Sequence, residues 1–212
     1  SFGNPRRFAR IARRVARRKP IVAIKSGRGL AGRRAASSHT AALASSEVAV
    51  ETLFQQSGLI RADTLDELFA LARGLSDQPL PKGKRVGIIT NAGGPAILCT
   101  DACEAGGLSV PELSKATTTA LSAFLPPAAS VKNPVDLIAS AAPDHYTNAI
   151  TTLLASKEID ALIILYMSVT VGDAVGIANG ILRGISTARQ AGGTDIPIYI
   201  CWMAEGDLGR TF

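Results

Sequence analysis

No acidic residue occurs in the first 46 positions of this 212-residue chain, although 12 of its 23 lysines and arginines do. The remaining 166 positions reverse the balance, with 11 bases against 17 acids. Basicity is therefore local, and an anionic ligand or partner is expected near this end. Nucleotide, coenzyme A, nucleic acid and an anionic membrane all qualify. Long apolar runs are also missing: none approaches the roughly 18 residues of a membrane-spanning helix, and no signal-type apolar core follows the early arginines. Cysteines number three, an odd count without paired metal spacing, so reduced thiols in a cytoplasmic protein and no metal site are expected. What is present is ordinary for a soluble globular chain, with 47% hydrophobic and 19% charged residues. The length suffices for one large domain or two small ones.

Helix and strand alternate along the chain. Residues 5–18 place Phe8, Ile11, Ala12 and Val15 on one helical face and seven arginines around the rest, until Pro20 ends the helix. Residues 21–24 read as a buried strand, 44–56 as helix, 58–62 as strand and 64–75 as a helix capped by Asp63 or Thr64. The polar segment 77–84, broken by Pro79 and Pro81, reads as a linker. It separates a domain over 1–78 from one over 83–212. The second begins with strand 85–90, a tight turn at 91–94, and a helix from Pro95 to about 106. Strand 108–113, helices 115–124 and 146–156, strand 159–167, helix 176–190 and strand 196–202 complete the pattern. Such alternation argues for α/β architecture with open parallel sheets covered on both faces. The first domain offers only two strands for three helices, too few for a stable parallel sheet, so its opening strands are expected upstream of Ser1.

The chemistry concentrates in one loop. Residues 25–44 carry Gly27, Gly29 and Gly32 among Lys25, Arg28, Arg33 and Arg34, then Ser37, Ser38, His39 and Thr40. Glycines let successive backbone N–H groups point into one concavity, and the basic and hydroxyl groups suit phosphate. A neutral imidazole at its centre can attack a phosphoryl group and carry it covalently. His39 is the first candidate catalytic residue. Asn91-Ala92-Gly93-Gly94-Pro95 leaves a strand and opens a helix, as an anion-binding turn does, though any tight turn can use two glycines. Asn133-Pro134-Val135-Asp136 reads as a rigid turn, more often structural than catalytic. His145 reads as a capping or surface residue. Cys99 and Cys103, four apart on one helix face, read as core. The arginine-rich helix could in principle grip nucleic acid or membrane, but it has a packing face and no interleaved aromatics, so a solvated outer face is expected.

Taken together, Gly3-Asn4-Pro5-Arg6-Arg7-Phe8, Lys25-Ser26-Gly27 after an apolar strand, Ser38-His39-Thr40, Asp66-Glu67-Leu68-Phe69, Thr90-Asn91-Ala92-Gly93-Gly94-Pro95 and Asn133-Pro134-Val135-Asp136 resemble one family. It is that of the NDP-forming acyl-CoA synthetases, related to succinyl-CoA synthetase and ATP-citrate lyase. The resemblance implies two flavodoxin-like subdomains, the first incomplete at its N-terminus, with a CoA-binding domain upstream and an ATP-grasp module in cis or on a separate subunit. It implies interconversion of acyl-CoA, NDP and phosphate with free acid, CoA and NTP. His39 matches the phosphorylated histidine. Ser38, Thr40, Asn91, Ala92, Gly93 and Gly94 would bind phosphate, and Lys25, Asn133 and Asp136 would support the loops. CoA, Mg2+ and ADP or ATP would serve the complete enzyme, bound mainly outside this chain, and phosphate on His39 would be its one covalently held group. An oligomer is implied. Ala41 departs from the glycine common after the Ser-His-Thr motif, and the glutamate that orients the histidine would precede Ser1.

Two other readings stand beside this one. Similar modules regulate some protein lysine acetyltransferases, and nucleic-acid binding through the arginine-rich helix ranks third.

Overall fold

The computed structural model describes residues 4–26, 29, 31, 32, 47–168, 173–192 and 195–204. Ser38, His39 and Thr40 lie outside them. The chain divides into two compact units, residues 1–77 and 78–212.

In the first unit α1 (Pro5–Ala16) opens on Asn4, whose side chain accepts from the Arg7 N–H at 3.0 Å, with Pro5 at the first helical position. β1 (Val22–Ile24) pairs in parallel with β2 (Ile60–Ala62), and α2 (Glu47–Ser57) connects to β2. A small core of Ala12, Val50, Phe54 and Leu59, with Phe8, Ile21 and Ala23 against it, joins α1, α2 and the strands. α3 (Leu65–Asp77) begins at Thr64, whose hydroxyl accepts from the Glu67 N–H at 3.1 Å, while Glu67 accepts from the Asp63 N–H at 2.7 Å. Thr64 is thus the cap, and Glu67 reaches back one residue further, to the N–H that precedes it.

The second unit holds a four-stranded parallel sheet in the order β4-β3-β5-β6, formed by β3 (Val86–Thr90), β4 (Val135–Asp136), β5 (Ala161–Met167) and β6 (Ile198–Met203). β3 is buried along its whole length, as a central strand covered on both faces must be. On one face α6 (Pro143–Ser156) and α7 (Ala174–Gln190) place Tyr146, Ile150, Leu153, Ile177 and Ile181 against Ile89, Leu162 and Ile164. On the other, Cys103 of α4 (Gly93–Ala105) packs with Val86, Ile88 and Leu165. α5 (Lys115–Ser122) adds Leu121 to the larger core.

Two expectations are corrected. Residues 108–113 form no strand: Ser109 makes one isolated parallel bridge to Arg85, and Pro111 has no N–H to extend a ladder. The sheet edge is instead β4, inside the segment read as a turn, where Ile89 pairs with Val135 and Thr90 with Asp136.

α6 and α7 approach closely through two glycines. A Cβ on Gly180 would stand 2.5 Å from the Pro143 carbonyl oxygen, and one on Gly184 would stand 2.9 Å from that of Thr147.

Candidate functional site

β3 delivers Thr90 and Asn91 to the C-terminal edge of its sheet, where α/β proteins place ligands. Both are buried. The Asn91 side chain donates through Nδ2 to the Met167 carbonyl at 2.8 Å and accepts through Oδ1 from the Met167 N–H at 2.9 Å. It thus mimics a further peptide between β3 and the end of β5. The Thr90 hydroxyl accepts from the Ala92 N–H at 3.0 Å and donates to the Ala92 carbonyl at 3.0 Å. Asn91 and Ala92, both expected to face phosphate, therefore commit these polar groups to shaping the turn.

Two donors remain at the start of α4. Gly93 and Gly94 are exposed, no side chain caps the helix, and Pro95 has no N–H. Among the described residues, no hydrogen bond engages either glycine N–H. A Cβ on Gly94 would meet nothing within 4 Å. Unpaired N–H groups at the positive end of a helix dipole, opening into free space, are an arrangement that suits an anion. Asp136 flanks it. Its Oδ2 lies 3.5 Å from where a Cβ on Gly93 would stand, while its Oδ1 accepts from the Ile138 N–H at 2.9 Å.

Asn133 lies at the other half of β3. Its Oδ1 accepts from the Ile88 N–H at 3.0 Å, and its Nδ2 donates to the Val86 and Pro111 carbonyls at 2.8 Å and 3.1 Å. It supports the strand where the short β4 does not reach. His145 accepts from the Ala142 N–H through Nδ1 at 3.0 Å, closing the start of α6. Burial, with Cys103 alongside, pushes the Cys99 thiol up to about 11, so it stays protonated and weakly nucleophilic at neutral pH. Among the described residues, no cluster of three or more His, Cys, Asp or Glu side chains could hold a metal ion.

In the first unit Lys25 pairs with Glu47 at 3.6 Å, and the two residues flank in sequence the segment that carries His39. Glu47 also binds Arg61 of β2, which pairs with Glu51 and with Asp63 at 3.2 Å. Hydrogen bonds to Glu47 and then Glu51 hold the Arg61 guanidinium above its ordinary value. With Glu67 these groups line a cleft of about 500 Å³. Three carboxylates, Glu47, Glu51 and Asp63, pair with the one guanidinium, which makes this a clamp and not an anion seat. Neither Arg61 nor Thr90 was singled out from sequence. The available signals were a charge inside the Ile60-Arg61-Ala62 strand and a hydroxyl closing the apolar β3 run.

Two sequence-family profiles match: a succinyl-CoA ligase like flavodoxin domain over residues 1–75 and a Ligase-CoA domain over residues 86–210. The chain belongs to the succinyl-CoA synthetase-like ligase family. Among relatives of this chain, the alpha subunit of the ADP-forming acetate–CoA ligase II of Pyrococcus furiosus is 43% identical over 87% of the chain and 41% of its own length. The alpha subunit of isoenzyme I from the same organism is 40% identical over 84% and 38%. The dinucleotide-forming acetyl-coenzyme A synthetase 1 of Ca. Korarchaeum cryptofilum, solved with phosphate and ADP, superimposes with a TM-score of 0.85 at 32% identity. That match covers 99% of this chain and 44% of that one. The chain thus spans about two fifths of the length of these relatives.

Proposed function

We propose that this chain is the phosphohistidine-bearing part of an NDP-forming acyl-CoA synthetase. The observation that carries the reading is the pair of unpartnered N–H groups of Gly93 and Gly94 at a helix start, in a chain that also holds the Ser38-His39-Thr40 motif. Phosphate displaces CoA from acyl-CoA to give an acyl phosphate. A His39 imidazole nitrogen then attacks phosphorus, the bond to the acyl oxygen breaks, and the free carboxylate leaves. NDP takes the phosphoryl group from the histidine to give NTP and restores the imidazole. Ser38 and Thr40 supply hydroxyl donors beside the carrier, and the Gly93 and Gly94 N–H groups receive the phosphoryl oxygens. Thr90 and Asn91 hold that turn, Asn133 and Asp136 fix its strand, and Lys25 anchors the loop. CoA, ADP and Mg2+ belong to the complete enzyme, whose CoA-binding domain and ATP-grasp module lie in cis or on companion subunits.

The test is phosphorylation of the complete enzyme with its companions. Acid-labile phosphate on His39 is the expected result. Labelling that persists undiminished in His39→Ala would overturn the assignment.

A further inference from the structure

The arginine face of α1 takes no part in the ligase reading. Seven arginines lie between residues 6 and 18, with no lysine and no acid among them. Arg6, Arg10 and Arg14 repeat every four residues on one side of the helix and are exposed. Among the described residues none of the three enters an ion pair or donates a side-chain hydrogen bond. Like charges four residues apart oppose helix formation. Here they are concentrated on one helix, and among the described residues none of the three has a neutralising partner.

The opposite side is partly occupied: Phe8 and Ala12 pack with Val50, Phe54 and Leu59, while Ile11 and Val15 on the same apolar face are exposed. Only a narrow apolar strip is thus left to enter a bilayer. No aromatic residue lies among the arginines, so stacking on unpaired bases has no platform. What remains is a row of exposed guanidinium forks, stepped by about 6 Å along the helix. A duplex presents phosphates at about 3.4 Å per strand along its axis, so each arginine in the row can meet a separate phosphate. The chain's pI of about 9.5, with bases gathered along one helix, is the electrostatic footprint of such binding.

We propose that the Arg6, Arg10 and Arg14 face of α1 binds the sugar–phosphate backbone of duplex nucleic acid, without reading its sequence. Fluorescence anisotropy of a labelled mixed-sequence DNA duplex, titrated with the full chain at several salt concentrations, tests this. Affinity is expected to fall linearly with the logarithm of salt concentration. The slope should become shallower by about 0.9 for each phosphate contact removed in Arg6→Gln/Arg10→Gln/Arg14→Gln. A control of equal charge loss, Lys82→Gln/Lys115→Gln/Lys132→Gln, should keep the slope. Circular dichroism verifies that both variants fold. Absence of salt-dependent duplex binding would overturn the proposal. So would equal losses in the two variants, or capture by phosphatidylserine vesicles in preference to the duplex.

Discussion

Asn91 and Met167 are joined by two hydrogen bonds, each using one atom of the Asn91 carboxamide and one backbone group of Met167. A side chain thereby extends the β3–β5 pairing beyond Thr90, whose Cα partner is Leu165. Asn91→Leu should leave the half-buried Met167 N–H and carbonyl facing an apolar side chain at the buried position 91, at a cost of about 1–3 kcal/mol. Urea denaturation of the variant measures it. A midpoint equal to the parent's would show that the pairing contributes nothing.

Gly94 separates stability from anion acceptance. Its neighbourhood has room for a side chain, and an acid in the first turn of a helix is stabilising by about 0.3–1 kcal/mol. Gly94→Asp should therefore melt no lower than the parent. The same carboxylate should repel a phosphoryl group, so the rate of His39 phosphorylation in the assembled enzyme should fall at least tenfold. A variant that loses stability and keeps the rate would contradict both halves.

The close approach of α6 and α7 makes two glycines irreplaceable in a different way. Ala at Gly180 or Gly184 would press its methyl group on the backbone carbonyl of Pro143 or Thr147. Each substitution should cost about 1–3 kcal/mol through displacement of packed helices. Thermal unfolding checks this, and a change under about 0.5 kcal/mol, typical of a neutral surface position, would refute it.

Acid should weaken the second unit by a route that can be traced. Burial works against the Glu158 carboxylate, but hydrogen bonds from Thr117 and Ser114 outweigh it and hold the group below its ordinary value. Hydrogen bonds from the Arg85 side chain and N–H do the same for Asp160. A carboxylate depressed in the folded state binds fewer protons there than when unfolded. Its stabilisation is complete above the unfolded pKa, about 4 for a carboxylate, and is lost as pH falls through the folded value. Urea midpoints should therefore drop on acidification through that range. Asp160→Asn should be less stable than the parent at neutral pH and show a shallower acid decline. Parallel curves for the two proteins would exclude Asp160 as a source.

Much of this was legible in the residues, because periodicity and punctuation carry most of the physics of an α/β chain. Ile21 to Ile24 and Arg85 to Thr90 stood out as short apolar runs beside glycine turns, and both contain strands. Helix starts were blurrier. α4 begins two residues before Pro95 and α6 begins at Pro143, three residues before the expected Tyr146. The edge strand was missed because two residues are too few to show a period, and its pairing is set by contacts far along the chain. The division of labour at the turn was also invisible. Asn91 and Gly93 look alike as parts of an anion-binding motif, and only the position of Met167 shows that Asn91 holds the turn while the glycine N–H groups stay open.

The pairing of Lys25 with Glu47 sets a tether length. Eight peptide units separate His39 from Glu47, and a fully extended chain advances at most about 3.3–3.6 Å per residue. While that foot is held by Arg61, no part of the backbone at His39 can lie farther than about 29 Å from Glu47. Under the proposed function, every group that exchanges a phosphoryl group with His39 must come inside that radius, give or take one imidazole.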